Sequence, residues 1–155
     1  MSETVKERSL MKGLIAGLIG GLVGTAAKVL AERLFPPHTH GEQEAHEVLV
    51  ERVTGHALAP AGRAAAAGGI RWGFGAAAGA AYGALAEYFP VATAKEGASF
   101  GLALEALTHE EALPALGLAA DPDDLTPRER TSEITSHVVY GVATEMTRGV
   151  VRRWL

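Results

Sequence analysis

The chain contains no cysteine. That excludes disulfides, thiolate metal ligands and thiol nucleophiles, and it leaves the redox compartment open. Aromatic residues are scarce at 6%, although 48% of the residues are apolar. The apolar stretches are therefore built from Ala and Gly with some Leu, a composition that suits close helix contact in lipid better than a water-soluble core. There is no long basic run and the formal net charge is −4, so nucleic acid is not an expected partner. Nucleophile-elbow settings are missing around Ser99, Ser132 and Ser136, which removes support for serine-based catalysis. Gly20-Gly21 and Gly73-x-Gly75 lack the preceding strand that a dinucleotide-binding turn requires.

What is present reads as one domain of 155 residues with four apolar segments. The first spans residues 10–34 and ends at Phe35-Pro36-Pro37, because proline lacks the amide donor and constrains the residue before it. The polar start followed by this stretch resembles a signal peptide, but the stretch is too long for an h-region and reads as a retained membrane helix. Ala45, Val48, Leu49 and Val53 then have helical spacing, with Gly55 as the stop, and predict a short extramembrane helix. Further apolar segments cover 64–89, 94–113 and 131–151. The third is marginal against the ~20 residues needed to cross a bilayer, so three spans compete with four. The mean hydropathy of +0.13 also keeps a soluble helical bundle open.

Loop charges favour four. Lys6, Arg8 and Lys12 precede the first segment, Lys95 lies between the second and third, and Arg148, Arg152 and Arg153 close the fourth. By the positive-inside rule these positions are cytoplasmic. The two long connections carry Glu42, Glu44, Glu47 and Glu51, then Glu110, Glu111, Asp121, Asp123 and Asp124. The expected fold is an all-α polytopic membrane bundle of about four helices, with both termini inside. Gly13, Gly17 and Gly21, like Gly75, Gly79 and Gly83, fall four residues apart and form flat stripes for close helix packing. Such stripes serve packing within the chain or assembly into a homo-oligomer or a larger membrane complex.

Ionisable groups inside a span cost roughly 2.5–3.5 kcal/mol at the centre and need a reason. Lys28 and Glu32, Glu105 and His109, and Glu133 and His137 are each one helical turn apart, while Arg71 lies early in the second span. With spans one and three running outward, all seven fall in the outer half of the membrane. Glu87, Glu145 and Arg148 fall in the inner part. Glu105, His109, Glu133 and His137 supply imidazoles and carboxylates, a set that suits zinc, iron or manganese and equally a proton relay. The plainer reading is an ion-pair network that fixes helix register. His38, His40 and His46 with Glu42 and Glu44 make a second, loop-borne candidate for zinc or copper. His56 has no evident partner in the sequence.

Ala86-Glu87-Tyr88-Phe89-Pro90, Leu107-Thr108-His109 and Ser132-Glu133-Ile134-Thr135-Ser136-His137, with Gly141, Glu145, Arg148 and Arg152, resemble the YagU-like family of small bacterial inner-membrane proteins. Lys28 and Pro36-Pro37 are similar too. The resemblance covers most of the chain and implies a multi-pass inner-membrane location, with lipid as the surroundings, but no established reaction; the activity and any cofactor stay open. The expectation is thus a non-enzymatic bundle or a small subunit of a membrane assembly. A proton or ion pathway and a metal-binding membrane enzyme remain as alternatives.

Overall fold

The computed structural model describes residues 8–37, 43–55 and 58–155, and statements of absence below concern these. Helix α1, Leu10–Leu34, is capped by the Ser9 side chain and ends at Phe35, ahead of the two prolines that cannot continue it. The short helix α2, Ala45–Thr54, begins where Glu47 accepts a bond from the Glu44 amide at 3.3 Å and stops at Gly55, whose φ of 54° suits glycine. Helix α3, Pro60–Tyr88, has proline in its first turn, where the missing amide is no loss, and stops before Pro90. The chain then reverses through Pro90–Gly97, where Lys95, Glu96 and Gly97 all have positive φ.

The rod that follows changes pitch twice. Helix α4, Ala98–Glu105, passes into a π-helical stretch, Ala106–Ala112, and then into the single turn α5, Leu113–Ala115. After a 3₁₀ turn at Pro122–Asp124, helix α6 runs Pro127–Trp154 from a reciprocal cap between Thr126 and Glu129, the pattern in which side chain and amide satisfy each other at both ends. No strand occurs among the described residues. The expected 10–34 segment coincides with α1; the 64–89 segment overlaps α3 as far as Tyr88, and the 94–113 and 131–151 segments lie within the pitch-changing rod with its preceding turn and within α6. Of the described helices, α1 is the one long and apolar enough to cross a membrane by length and composition alone.

Helix α1 is the hub, packing antiparallel on both α3 and α6, while α4 packs antiparallel on α6. The glycine stripes of α1 and α3 meet each other within the chain. A methyl group on Gly79 would lie 2.7 Å from the Gly21 amide nitrogen, and one on Gly13 the same distance from the Gly83 carbonyl oxygen. The other face of α1 meets α6 in the same way, Gly20 against the Thr144 carbonyl and Gly24 against the Tyr140 carbonyl, and Gly141 of α6 receives Gly101 of α4. Above the glycines, Tyr82 stacks on Phe100 with centroids 4.2 Å apart, and Phe100 tilts against Tyr140 at 5.8 Å.

The interior is polar and the exterior is not. Buried positions include Thr25, Glu32, Glu105, Glu129, Ser132, Glu133, Ser136, His137, Thr144, Arg148 and Arg152, whereas the buried apolar residues are Ala16, Val50, Ala67, Tyr82, Leu118 and Tyr140. Between Gly13 and Ala31, Ala64 and Phe89, Gly97 and Thr108, and Thr131 and Val151, no exposed position is charged. Leu18, Leu22, Leu30, Phe74, Leu85, Leu102, Met146 and Val150 face outward instead. Exposed charges gather at the two ends, with Lys12, Lys95 and Arg153 at one and Glu111, Asp121 and Asp123 at the other.

At the Lys12 end, a buried network joins three helices. Arg152 Nη2 donates to Glu87 Oε2 at 3.0 Å, and the Ser9 amide donates to the same oxygen at 3.2 Å. Glu145 accepts from Tyr82 at 2.8 Å and from Arg148 at 2.6 and 2.7 Å. This network fixes the start of α1 against the ends of α3 and α6.

Two predictions follow from the packing. Gly79→Ala should destabilise the protein by about 2 kcal/mol or more because its methyl meets backbone. Gly73→Ala, where a methyl meets nothing within 4 Å, should be neutral or stabilise by about 0.5–1 kcal/mol; thermal unfolding of both variants reads the contrast. For the buried pair, Glu87→Gln should cost on the order of 3 kcal/mol by stranding Arg152, and Glu87→Met with Arg152→Met should recover much of it. A double-mutant cycle on chemical unfolding measures that coupling.

Candidate functional site

The end of the bundle opposite Lys12 holds a cavity of about 670 Å³ between α1, α2, α3, the π-helical stretch, α5 and α6. Its walls are apolar, from Leu49, Ile70, Phe74, Leu104, Leu113 and Leu118, and its floor carries Lys28, Glu32, Arg71, His109, Glu133 and His137. Apolar walls around a few convergent polar groups are the usual build of a small-ligand site. Helix α2 covers the outer side. Its Arg52 donates 2.6 Å bonds to the Leu116 and Gly117 carbonyls, the bare carbonyls that end α5, where a cationic donor is favoured.

One wall of the floor is an ion-pair chain. Lys28 and Glu32 pair along α1, one turn apart. Arg71 of α3 reaches the other oxygen of Glu32 and also Glu44, at 3.3 Å. His46 Nδ1 lies 3.5 Å from Glu44. Groups of opposite sign thus face one another where either alone would be costly to bury.

The other wall is the imidazole group. His109 Nε2 lies 3.2 Å from Glu133 Oε2, and the rings of His109 and His137 meet edge to face with centroids 4.7 Å apart. One ligand-type atom from each of His109, Glu133 and His137 lies within 4.8 Å of the other two. On α6 the spacing of four places Glu133 and His137 on one face, where both are buried. His109 arrives differently. It sits inside the π-helical stretch, whose i→i+5 bonding widens the turn and shifts the register.

That shift separates Glu105 from the group. The sequence puts Glu105 and His109 one α-helical turn apart, which would align them on one face, yet Glu105 closes the α-helical part and His109 lies past the change of pitch. Glu105 is buried, and the charges that act on it are those of Glu110 and Arg130. The structure therefore brings together Lys28, Glu32 and Arg71 on one side and His109, Glu133 and His137 on the other, and it leaves Glu105 outside both. Of the loop-borne candidate, His38, His40 and Glu42 lie outside the described residues, as does His56.

Three contributors escape sequence reasoning. Thr108 holds His109 through a 2.9 Å contact to Nδ1, Tyr140 donates to the Gly75 carbonyl at 2.6 Å below the cavity, and Ser132 of α6 bonds the Phe35 carbonyl at the end of α1. Thr108 and Ser132 each had a signal, as members of the motifs Leu107-Thr108-His109 and Ser132-Glu133-Ile134-Thr135-Ser136-His137.

Among curated proteins and solved structures, nothing matches the chain. A family model described as "Protein of unknown function (DUF1440)" matches residues 22–146. That stretch contains both walls of the cavity floor, from Lys28 on α1 to His137 on α6. The chain belongs to the DUF1440 family.

Proposed function

We propose that the chain is an integral inner-membrane protein that crosses the bilayer four times with both termini cytoplasmic, and that it serves as a non-enzymatic bundle with a binding pocket in its outer half. The observation that carries this reading is the inverted burial: charged and hydroxyl side chains inside, an uncharged apolar belt outside. Water would drive the opposite arrangement. In lipid, polar side chains turn inward to find partners, and small residues let helices approach without a hydrophobic driving force. Low hydropathy in α3 and α6 has the same cause. Within 64–89 and 131–151 their outward positions are uncharged, and averaging over the whole helix dilutes the apolar ones with Gly and with buried polar and charged residues.

Orientation rests on the ends. Lys12, Lys95, Arg148, Arg152 and Arg153 cluster where the positive-inside rule puts the cytoplasm. The resemblance to YagU-like inner-membrane proteins agrees with that placement. The reading of a pocket is favoured over a through-going ion path by the middle of the bundle. There the backbones of Gly21 and Gly79, and of Gly101 and Gly141, are in contact, and the Tyr82–Phe100–Tyr140 stack fills the remaining space. The polar floor and the Glu87–Arg152 network are thus separated by sealed packing.

Reporter fusions after Leu58, Thr93, Pro122 and Leu155 should read outside, inside, outside and inside. Carbonate washing should leave the protein in the membrane fraction. An outside C-terminus, or release by carbonate, refutes the reading.

A further inference from the structure

We propose that His109, Glu133 and His137 form a three-ligand site for a divalent first-row metal ion of the zinc and iron(II) class, with its open coordination position facing the cavity. The proposal rests on the pocket reading above and deepens it.

The convergence of three ligand-type atoms within 4.8 Å of one another carries the argument, and the orientation of the imidazoles supports it. His137 Nδ1 lies 2.9 Å from the Glu133 carbonyl oxygen, an atom that can only accept, so Nδ1 carries the proton and Nε2 is the lone-pair nitrogen. His109 Nδ1 lies 2.9 Å from Thr108 Oγ1, and that hydroxyl donates its own hydrogen to the Leu104 carbonyl at 2.7 Å. With the hydroxyl turned to that carbonyl, Oγ1 accepts from His109 Nδ1 and the lone pair of His109 falls on Nε2, the tautomer that a metal would select. That nitrogen lies 3.2 Å from a Glu133 carboxylate oxygen. A proton on Nε2 or a metal ion between the two atoms would join them.

The surroundings fit a metal better than a proton. Metal-bound histidines generally donate their other ring nitrogen to a carbonyl or similar acceptor, which fixes the tautomer and orients the ring. His137 is held in that way by the Glu133 carbonyl, and His109 Nδ1 faces the Thr108 hydroxyl. Ligands about 2.1 Å from a tetrahedral ion sit roughly 3.4 Å apart, close to the His109–Glu133 separation, and the whole group lies within 4.8 Å. Two imidazoles and a carboxylate are the donor set of sites that keep a position open. Lys28, a cation in the same cavity, is already engaged by Glu32, which limits its repulsion of a metal.

Detergent-solubilised protein, stripped with chelator and dialysed, should take up one equivalent of Zn²⁺ by calorimetry. Co²⁺ should give visible d–d bands of a four- or five-coordinate site with nitrogen ligands. His137→Ala and Glu133→Gln should weaken Zn²⁺ binding at least 100-fold. Thr108→Val, which leaves all three ligands in place, should weaken it by about 10–100-fold, so the test does not depend on ligand variants that fail to fold. A wild-type protein with native helicity that binds no Zn²⁺, Co²⁺, Mn²⁺ or Fe²⁺ overturns the proposal, as does binding that survives His137→Ala. The reporter fusions judge the membrane placement on their own, so the two failures are distinguishable.

Discussion

Helix α1 meets α3 and α6 through faces that carry almost no side chain. Gly13, Gly17 and Gly21 lie against α3 while Gly20 and Gly24 lie against α6, so both neighbours come within backbone contact of one helix. Everything else in the architecture depends on that proximity. Because α3 and α6 are each held by α1, Tyr140 of α6 can reach the Gly75 carbonyl of α3, and Arg152 can reach Glu87. Helix α4 joins the same way, through Gly97 and Gly101 on Gly141 and His137. Close approach multiplies weak dispersion contacts between the helices.

Tight packing in the middle leaves polar chemistry to the ends. Where the glycine stripes stop, the helices separate by the width of side chains, and charged groups occupy the gap. At the Lys12 end the space closes on Glu87, Glu145, Arg148 and Arg152. At the other it stays open as the cavity, because α2 and the turn after α5 roof it from outside rather than fill it. The same sequence device, glycine at every fourth position, thus determines both the sealed core and the pocket above it.

How far the sequence discloses this depends on the range of the signal. Helix α1 is legible to the residue, since Ser9 and the Pro36-Pro37 pair bound it locally. The short α2 was legible from Ala45, Val48, Leu49 and Gly55 for the same reason. Glu133 and His137 share a face because α6 is regular there, and sequence spacing translates directly into geometry. Glu105 and His109 have the same spacing but straddle a change of helical pitch, which no local residue pattern announces. The Glu87–Arg152 pair joins positions 65 apart and exists only once three helices have assembled. The averaged hydropathy of α3 and α6 hides the fact that no charged residue within 64–89 and 131–151 is exposed.

On the membrane placement proposed above, the pairing of Lys28 with Glu32 has a consequence for biogenesis. The two residues share one helix, one turn apart, so their charges offset each other as soon as α1 forms. A nascent chain that enters the bilayer helix by helix carries α1 in before α3 or α6 has been synthesised. Arg71 and the far wall of the pocket arrive dozens of residues later. An intrahelical pair is the one arrangement that is complete during that wait, and it lowers the barrier for lateral exit of α1 from the translocon. When α3 follows, Arg71 takes the second oxygen of Glu32, and a transient safeguard of insertion becomes a permanent wall of the finished protein.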